Sequence, residues 1–347
     1  MLTDSERVTR LQAPTGYPVA AVLDTDTYNE VDDQFALAYA LLSPRIDLKA
    51  VLAAPYYNNR SDSPADGMEK SYQEILKILD LLKRPVDGMA WRGSPNYLPA
   101  PKTPVDSPAA RRLIELALAV EQPLQVLSIG CATNIASALL LEPAIADKIV
   151  VVWLGGHDRD WPDTNEFNLM QDVYASQVLF DSGVPLVRFP CARVTELLLT
   201  TLPELETCLA GRSALGDYLV GTVSGYAPQD ERRFGWSKVI WDIIAVAWID
   251  CPEALTLSWV PTPRLVGDAD TPKRELCFNH DFRHPLCREG VHVRRDLIFR
   301  RVFQLINGSG KVTILCRKGC CFAFLPGLFD VCYGKSKINP KRRYSHA

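Results

Sequence analysis

No stretch of the sequence approaches the roughly 20 uninterrupted apolar residues of a membrane-spanning helix. The polar opening MLTDSERVTRLQ also lacks the apolar core of a secretory signal. A soluble, cytoplasmic protein with no membrane partner is expected. Charge of one sign is lacking too: the net charge is −3, with acidic and basic residues interspersed over the main body. That excludes the electrostatic footprint of a nucleic-acid binder there and favours a small neutral ligand. The ten cysteines include no two well-separated CxxC pairs, which argues against structural zinc. Cys131, Cys191, Cys208 and Cys251 stand singly in apolar segments and are expected to be reduced core thiols. GSGK, near the end, lacks the preceding glycine and the following Ser or Thr of a phosphate-cradling loop. No linker divides the chain, so one α/β domain over 1–306 is expected. An atypical basic tail over 307–347 follows, holding Cys316, Cys320, Cys321 and Cys332.

Between Pro18 and Pro190, short β-branched runs alternate with helical patterns. PVAAVLD, LKAVLAAP, LQVLSIG, KIVVVWLGG and VPLVRFP are the expected strands. VDDQFALAYALL, MEKSYQEILKILDLLK, AARRLIELALAV and TNIASALLLEP carry apolar residues at helical spacing. The fold class that follows is α/β, a mostly parallel open sheet flanked by helices. The C-terminal half reads as more helical, with ALGDYLVGTVSGY and SKVIWDIIAVAWID as helices. A proline- and polar-rich stretch from Pro261 to Pro285, a short strand VHV and a terminal helix RRDLIFRRVFQLI complete it. Ligands of such sheets bind at the carboxyl ends of strands, so the polar residues there are the candidate site.

The first strand end carries VLDTDTYNEVDDQFALAYALL, with Asp24, Asp26, Asp32 and Asp33 crowded together. Carboxylates this close raise one another's pKa unless a cation or hydrogen bonds hold them ionised. A hard divalent cation such as calcium, which takes carboxylate, carbonyl and water oxygens, suits such a loop. The plainer alternative is that Asp24 pins the loop while Asp32 and Asp33 favour a helix N-terminus. Further polar segments follow later strands: SIGCATNIASALL, and GGHDRDWPDTNEFNLMQD. Asp242, alone in the apolar VIWDIIAVAW, needs a cation or donors to face.

Taken in order, DTDTYNEVDD, ATNIA, Asn165-Glu166-Phe167-Asn168 and the late Asp242 resemble the inosine-uridine-preferring nucleoside hydrolases over roughly 18–306. The resemblance implies a Rossmann-like core and hydrolysis of ribonucleosides to ribose and free base, in nucleoside catabolism and salvage. It also implies a calcium cofactor and a homo-oligomer, dimer or tetramer. Asp26, Asp33, Asp242 and the backbone carbonyl of Ile129 resemble the calcium ligands, with Asp26 also the base that activates a metal-bound water. Asp32, Glu166 and Asn168 resemble the ribose-binding residues, joined by Asn58 or its neighbour Asn59. Asp24 reads as structural. The chemistry needs these residue types, because breaking an N-glycosidic bond builds positive charge on the ribose that carboxylates stabilise.

The chain departs from the family pattern in two places. Its aspartate loop is two residues longer, so Tyr28 and Asn29 are expected to bulge out near the mouth. Trp241 stands where many members have a histidine proposed to protonate the departing base. Tryptophan can stack on a base but cannot be a general acid. His157 is the best-placed substitute by sequence; Asn165, Asp163 and Trp161 share its loop and can shape the base pocket. His280, His284 and His292 lack metal-ligand spacing. Two other functions are open: a non-catalytic nucleoside- or sugar-binding relative, and a haloacid-dehalogenase-type phosphatase with Asp24 as nucleophile. The phosphatase reading leaves NEFN and Asp242 without a role.

Overall fold

The computed structural model describes residues 2–271, 275–279 and 281–308. The expected tail from residue 309 onward, with Cys316, Cys320, Cys321 and Cys332, lies outside the described residues, as does His280. The strands are β1 (Val19–Thr25), β2 (Ile46–Ala53), β3 (Ala90–Arg92), β4 (Leu124–Ser128), β5 (Ile149–Leu154) and β6 (Leu186–Phe189). After them come β7 (Leu199–Thr200), β8 (Lys238–Val239), β9 (Leu255–Pro261), β10 (Arg264–Val266), β11 (Cys277–Asn279) and β12 (Leu286–Val293). The helices of the first half are α1 (Asp4–Arg10), α2 (Asp33–Leu42), α3 (Pro64–Leu81), α4 (Pro108–Ala119) and α5 (Thr133–Leu141). They are followed by α6 (Phe167–Gln171), α7 (Val173–Asp181), α8 (Leu202–Leu209), α9 (Ala214–Tyr226), α10 (Ile243–Asp250) and α11 (Arg295–Ile306).

Eight strands form one sheet in the order β3-β2-β1-β4-β5-β6-β12-β9, parallel except for the β12–β9 pair. The apolar runs read as strands because both faces are covered. Every residue of β4 and β5 is buried, as expected where helices pack on each side. Along β5 the side chains alternate between two cores: Val150, Val152 and Leu154 pack on one side, Val151 and Trp153 on the other. At each buried Leu, Ile or Val this contributes about 1.5–3 kcal/mol. Among the described residues, no helix is long and apolar enough to cross a membrane.

The strand order reverses at β1, which lies between β2 and β4. Asp24 near its end is level with Leu52 of β2 and Ser128 of β4. Such a reversal opens a crevice beyond the carboxyl ends of the strands, and the aspartate loop leaves β1 directly into it.

The C-terminal half differs from expectation in four ways. SKVIWDIIAVAWID is not one helix. Lys238–Val239 pairs antiparallel with Leu199–Thr200, and the helix starts only at Ile243. β-Branched Val239 and Ile240 suit extended chain, and the Ile240 N–H continues the ribbon by donating to the Leu198 carbonyl (2.9 Å). Asp242 therefore stands at the position that precedes α10, with no side-chain capping hydrogen bond, rather than sitting inside the helix. β9, outside every expected strand, forms the sheet edge, and VHV is the end of the longer β12. The β10–β11 hairpin lies within the proline- and polar-rich stretch.

Candidate active site

The aspartate loop is built by backbone before side chains act. The Asn29 N–H closes a turn on the Asp26 carbonyl (2.7 Å), and Asp32 takes the position that precedes α2. Asp24, Asp26, Asp32, Asp33 and Asp242 are all buried. One carboxylate oxygen each from Asp32, Asp33 and Asp242 lies within 4.8 Å of the others. Asp26 is outside that triplet and does not line the cavity in front of it. It packs against Gly130 in the loop after β4, where an added Cβ would lie 3.2 Å from the Asp26 Oδ1.

The electrostatics separate these carboxylates. Both oxygens of Asp26 are buried without a hydrogen-bond partner. Burial first, and then the Asp33 carboxylate, push Asp26 well above the usual carboxylate range. Asp33 is raised to about 8 by burial and by Asp32, against the Thr25 hydroxyl that donates to its Oδ1 (2.6 Å). Asp242 is likewise pushed well up by burial and by Asp33. Asp32 is raised by burial but opposed by the ammonium of Lys238, 3.7 Å from its Oδ1. So many carboxyls cannot all be ionised in one buried place without added positive charge. The donor set of carboxylates with a nearby carbonyl, Ile129, suits a hard cation such as calcium.

Asp24 has a different part. Its Oδ1 accepts from Asn134 Nδ2 (2.8 Å), and the same amide donates to the Ala53 carbonyl (3.1 Å) while its oxygen accepts from the Ser94 N–H (2.8 Å). Asn134 of the ATNIA segment thus ties together the ends of β1 and β2 and the chain leaving β3. Thr133 beside it donates to Asp172 (2.7 Å), the cap of α7.

A cavity of about 430 Å³ opens in front of Asp32, Asp33 and Asp242. Ile129, Glu166 and Asn168 also line it, and Asn168 Nδ2 donates to the carbonyls of Ile129 (3.2 Å) and Leu154 (3.0 Å). The Glu166 carboxylate caps α6, accepting from the N–H groups of Asn168 (3.0 Å), Leu169 (2.9 Å) and Gly156 (2.7 Å). Asn58 lines the cavity, whereas Asn59 faces a neighbouring groove. Of the expected bulge, Asn29 reaches the cavity and accepts from Asn58 Nδ2 (2.6 Å). Tyr28 turns away beneath the Arg60 guanidinium, 4.3 Å from its ring centre.

His157, Asn165 and Trp241 line the same cavity. The His157 Nδ1 accepts from the Ala192 N–H (3.3 Å), and its ring lies 5.5 Å from that of Trp161. Arg188, fully buried, donates to the His157 carbonyl (2.9 Å) and to Glu289 (3.0 Å), which fixes the loop's root. Glu30 and Lys238 were not among the expected site residues, and Cys191, expected as a core thiol, also lines the cavity. Glu30 ion-pairs with Lys238, and the Cys191 thiol lies 3.5 Å from Glu166. A lysine within the apolar run KVIW was the available signal for Lys238. Cys131, Cys191 and Cys251 are buried free thiols, and Cys208 is half-buried.

The family model for inosine-uridine preferring nucleoside hydrolases matches residues 21–275. A pyrimidine-specific ribonucleoside hydrolase, RihA, of Klebsiella pneumoniae (strain 342) is 30% identical over 180 residues, covering 45% of this chain and 55% of that protein. The matched stretch thus spans about half the length of that relative. RihA of Salmonella paratyphi A (strain ATCC 9150 / SARB42) is 31% identical over 252 residues, covering 65% of this chain and 78% of the relative. Among solved structures, a purine-preferring ribonucleoside hydrolase from Gardnerella vaginalis superposes with a TM-score of 0.67 at 23% identity, covering 83% of this chain and 98% of that one. A plant nucleoside hydrolase, PpNRh1, gives 0.66 at 20% identity, covering 84% and 99%. The structural likenesses show a shared fold.

Proposed function

The chain belongs to the inosine-uridine preferring nucleoside hydrolase family, and from that premise we propose that it hydrolyses the N-glycosidic bond of ribonucleosides to ribose and free base, with calcium as cofactor. The observation that carries this reading is Asp26: a buried carboxylate with no donor on either oxygen, pressed by Asp33 at the strand-order reversal. Such a group is costly unless a cation and a reacting water answer it. Asp26, Asp33, Asp242 and the Ile129 carbonyl would hold calcium, which supplies positive charge and makes a nearby water more acidic.

On this reading Asp26 takes the proton from the water that attacks the anomeric carbon. Asp32, Asn58 and Asn168 orient the ribose hydroxyls, and Glu166 fixes the start of α6 from which Asn168 projects. The carboxylates around the sugar stabilise the positive charge that grows as the bond to the base breaks. His157 faces the base. The Ala192 N–H on its Nδ1 leaves the ring proton on Nε2, ready to donate a hydrogen bond to the departing base. Trp241 and Asn165 shape that end of the cavity.

Asp26→Asn keeps the shape and removes both the base and a charged cation ligand. Turnover should fall about 10²–10⁴-fold, measured as release of free base, while calorimetry still detects nucleoside binding. Turnover within a few-fold of the wild type would remove Asp26 from the chemistry. Trp241 in place of a histidine favours a second reading, binding without turnover; it would be supported by nucleoside binding with no base released by the wild-type protein.

A further inference from the structure

Asp32 and Asp26 are both buried aspartates of one cluster, yet they are treated in opposite ways. Neither oxygen of Asp26 has a donor. Asp32 has one on each: its Oδ2 accepts from the Trp241 N–H (3.1 Å) and its Oδ1 from the Val31 N–H (3.3 Å). Lys238 then adds a full countercharge, 3.7 Å from the Asp32 Oδ1. That lysine is only 7% exposed. Its ammonium donates to the Val239 carbonyl (2.8 Å) and to Glu30, which in turn accepts from the Tyr226 hydroxyl (3.3 Å). The lysine is therefore held from several sides and cannot swing freely into solvent.

The placement matters because Asp32 is close enough to Asp33 and Asp242 to share a cation with them. A divalent ion bound there would sit a few ångströms from a fixed ammonium, and the repulsion works against Asp32 as a ligand. Among the described residues, no ammonium or guanidinium donates to Asp26. We infer that Lys238 is a positioning residue that withholds Asp32 from the cation-binding set and leaves it free for the ribose hydroxyls. Asp33 and Asp242 keep their places in that set. The ribose half of this inference rests on the hydrolase reading; the cation half does not.

The test is calcium binding to the full chain by isothermal titration after chelation, with nucleoside kinetics measured separately. Lys238→Met should bind calcium roughly tenfold or more tightly, because a nearby positive charge is gone and Asp32 joins the ligands. Asp32→Asn placed in the Lys238→Met chain should return the affinity to within a few-fold of the wild type. Lys238→Arg, which keeps the charge, should leave calcium affinity unchanged. In kinetics, Lys238→Met should raise KM for ribonucleosides more than it lowers kcat, a split that general loss of packing would not produce. Unchanged or weaker calcium binding by folded Lys238→Met overturns the inference. A crystal structure of the calcium-loaded wild-type chain keeps it falsifiable should Lys238→Met fail to fold: calcium with Asp32 beyond ligand distance supports it, and Asp32 as a direct calcium ligand overturns it. If no nucleoside is hydrolysed, the calcium titrations still decide the cation half.

Discussion

At the residue scale, Trp241 lines the cavity at the end that the proposed reading gives to the leaving base. Its backbone N–H is committed to Asp32, so its indole can be removed while that bond is kept. An aromatic face against a nucleobase contributes about 1–3 kcal/mol. Trp241→Ala should therefore shift the relative kcat/KM of purine and pyrimidine ribonucleosides by roughly tenfold, measured across a substrate panel. A large, equal loss with every base would contradict a pocket-wall role. The cluster of Asp24, Asp26, Asp32 and Asp33 and the lone Asp242 could be picked out from sequence because crowded or isolated carboxylates in apolar surroundings need an explanation, whereas the choice among them came from the family resemblance. Lys238 could not, since its meaning depends on Glu30 and Asp32 arriving from a distant segment. Nor could the separation of Asp26 from the Asp32, Asp33 and Asp242 triplet, which depends on side-chain direction beyond the strand end.

At the scale of elements, Asp250 at the end of α10 shows how the helix beneath the site is held. It accepts from the Tyr39 hydroxyl of α2 (2.9 Å), from Ser43, and from Arg301 Nε of α11 (2.7 Å). Burial alone would raise its pKa, but the Arg301 guanidinium and the Ser43 hydroxyl outweigh burial and lower it. A carboxyl lowered in the folded state adds stability that is complete above its unfolded value, near about 4, and is lost as pH falls through the folded value. Asp250→Asn should therefore cost about 2 kcal/mol at neutral pH. In urea melts the difference from the wild type should narrow below about pH 4. A difference constant down to that range would remove the charged pairing from the account. The strands and helices around the site were readable because covered parallel strands are apolar throughout and amphipathic helices keep their period. The two-residue β8 was not, because Lys238–Val239 leads straight into the apolar run that becomes α10.

At the scale of the molecule, the reversal of strand order at β1 gathers the site. Asp24 lies near the end of β1 and Asp26 to Asp33 follow it, Ile129 follows β4, His157 to Asn168 follow β5, and Asp242 arrives from the distant start of α10. Alternating strands and helices implied that polar strand ends would meet in one crevice. The β9–β12 edge was not foreseeable in the same way, since its pairing is antiparallel and closes over a long, irregular stretch. The account's central claim is that the buried carboxylates act on a ribosyl group with calcium among them. The most direct measurement is reducing-sugar release from ribonucleosides and their matched 2′-deoxyribonucleosides, with calcium and after thorough chelation. The account predicts release from ribonucleosides that disappears on chelation and returns with calcium, and far less release from the deoxy compounds, because a site built around a hydroxyl is left unpaired without it. Equal release with and without calcium, or no release from any ribonucleoside by folded, calcium-loaded protein, would contradict it.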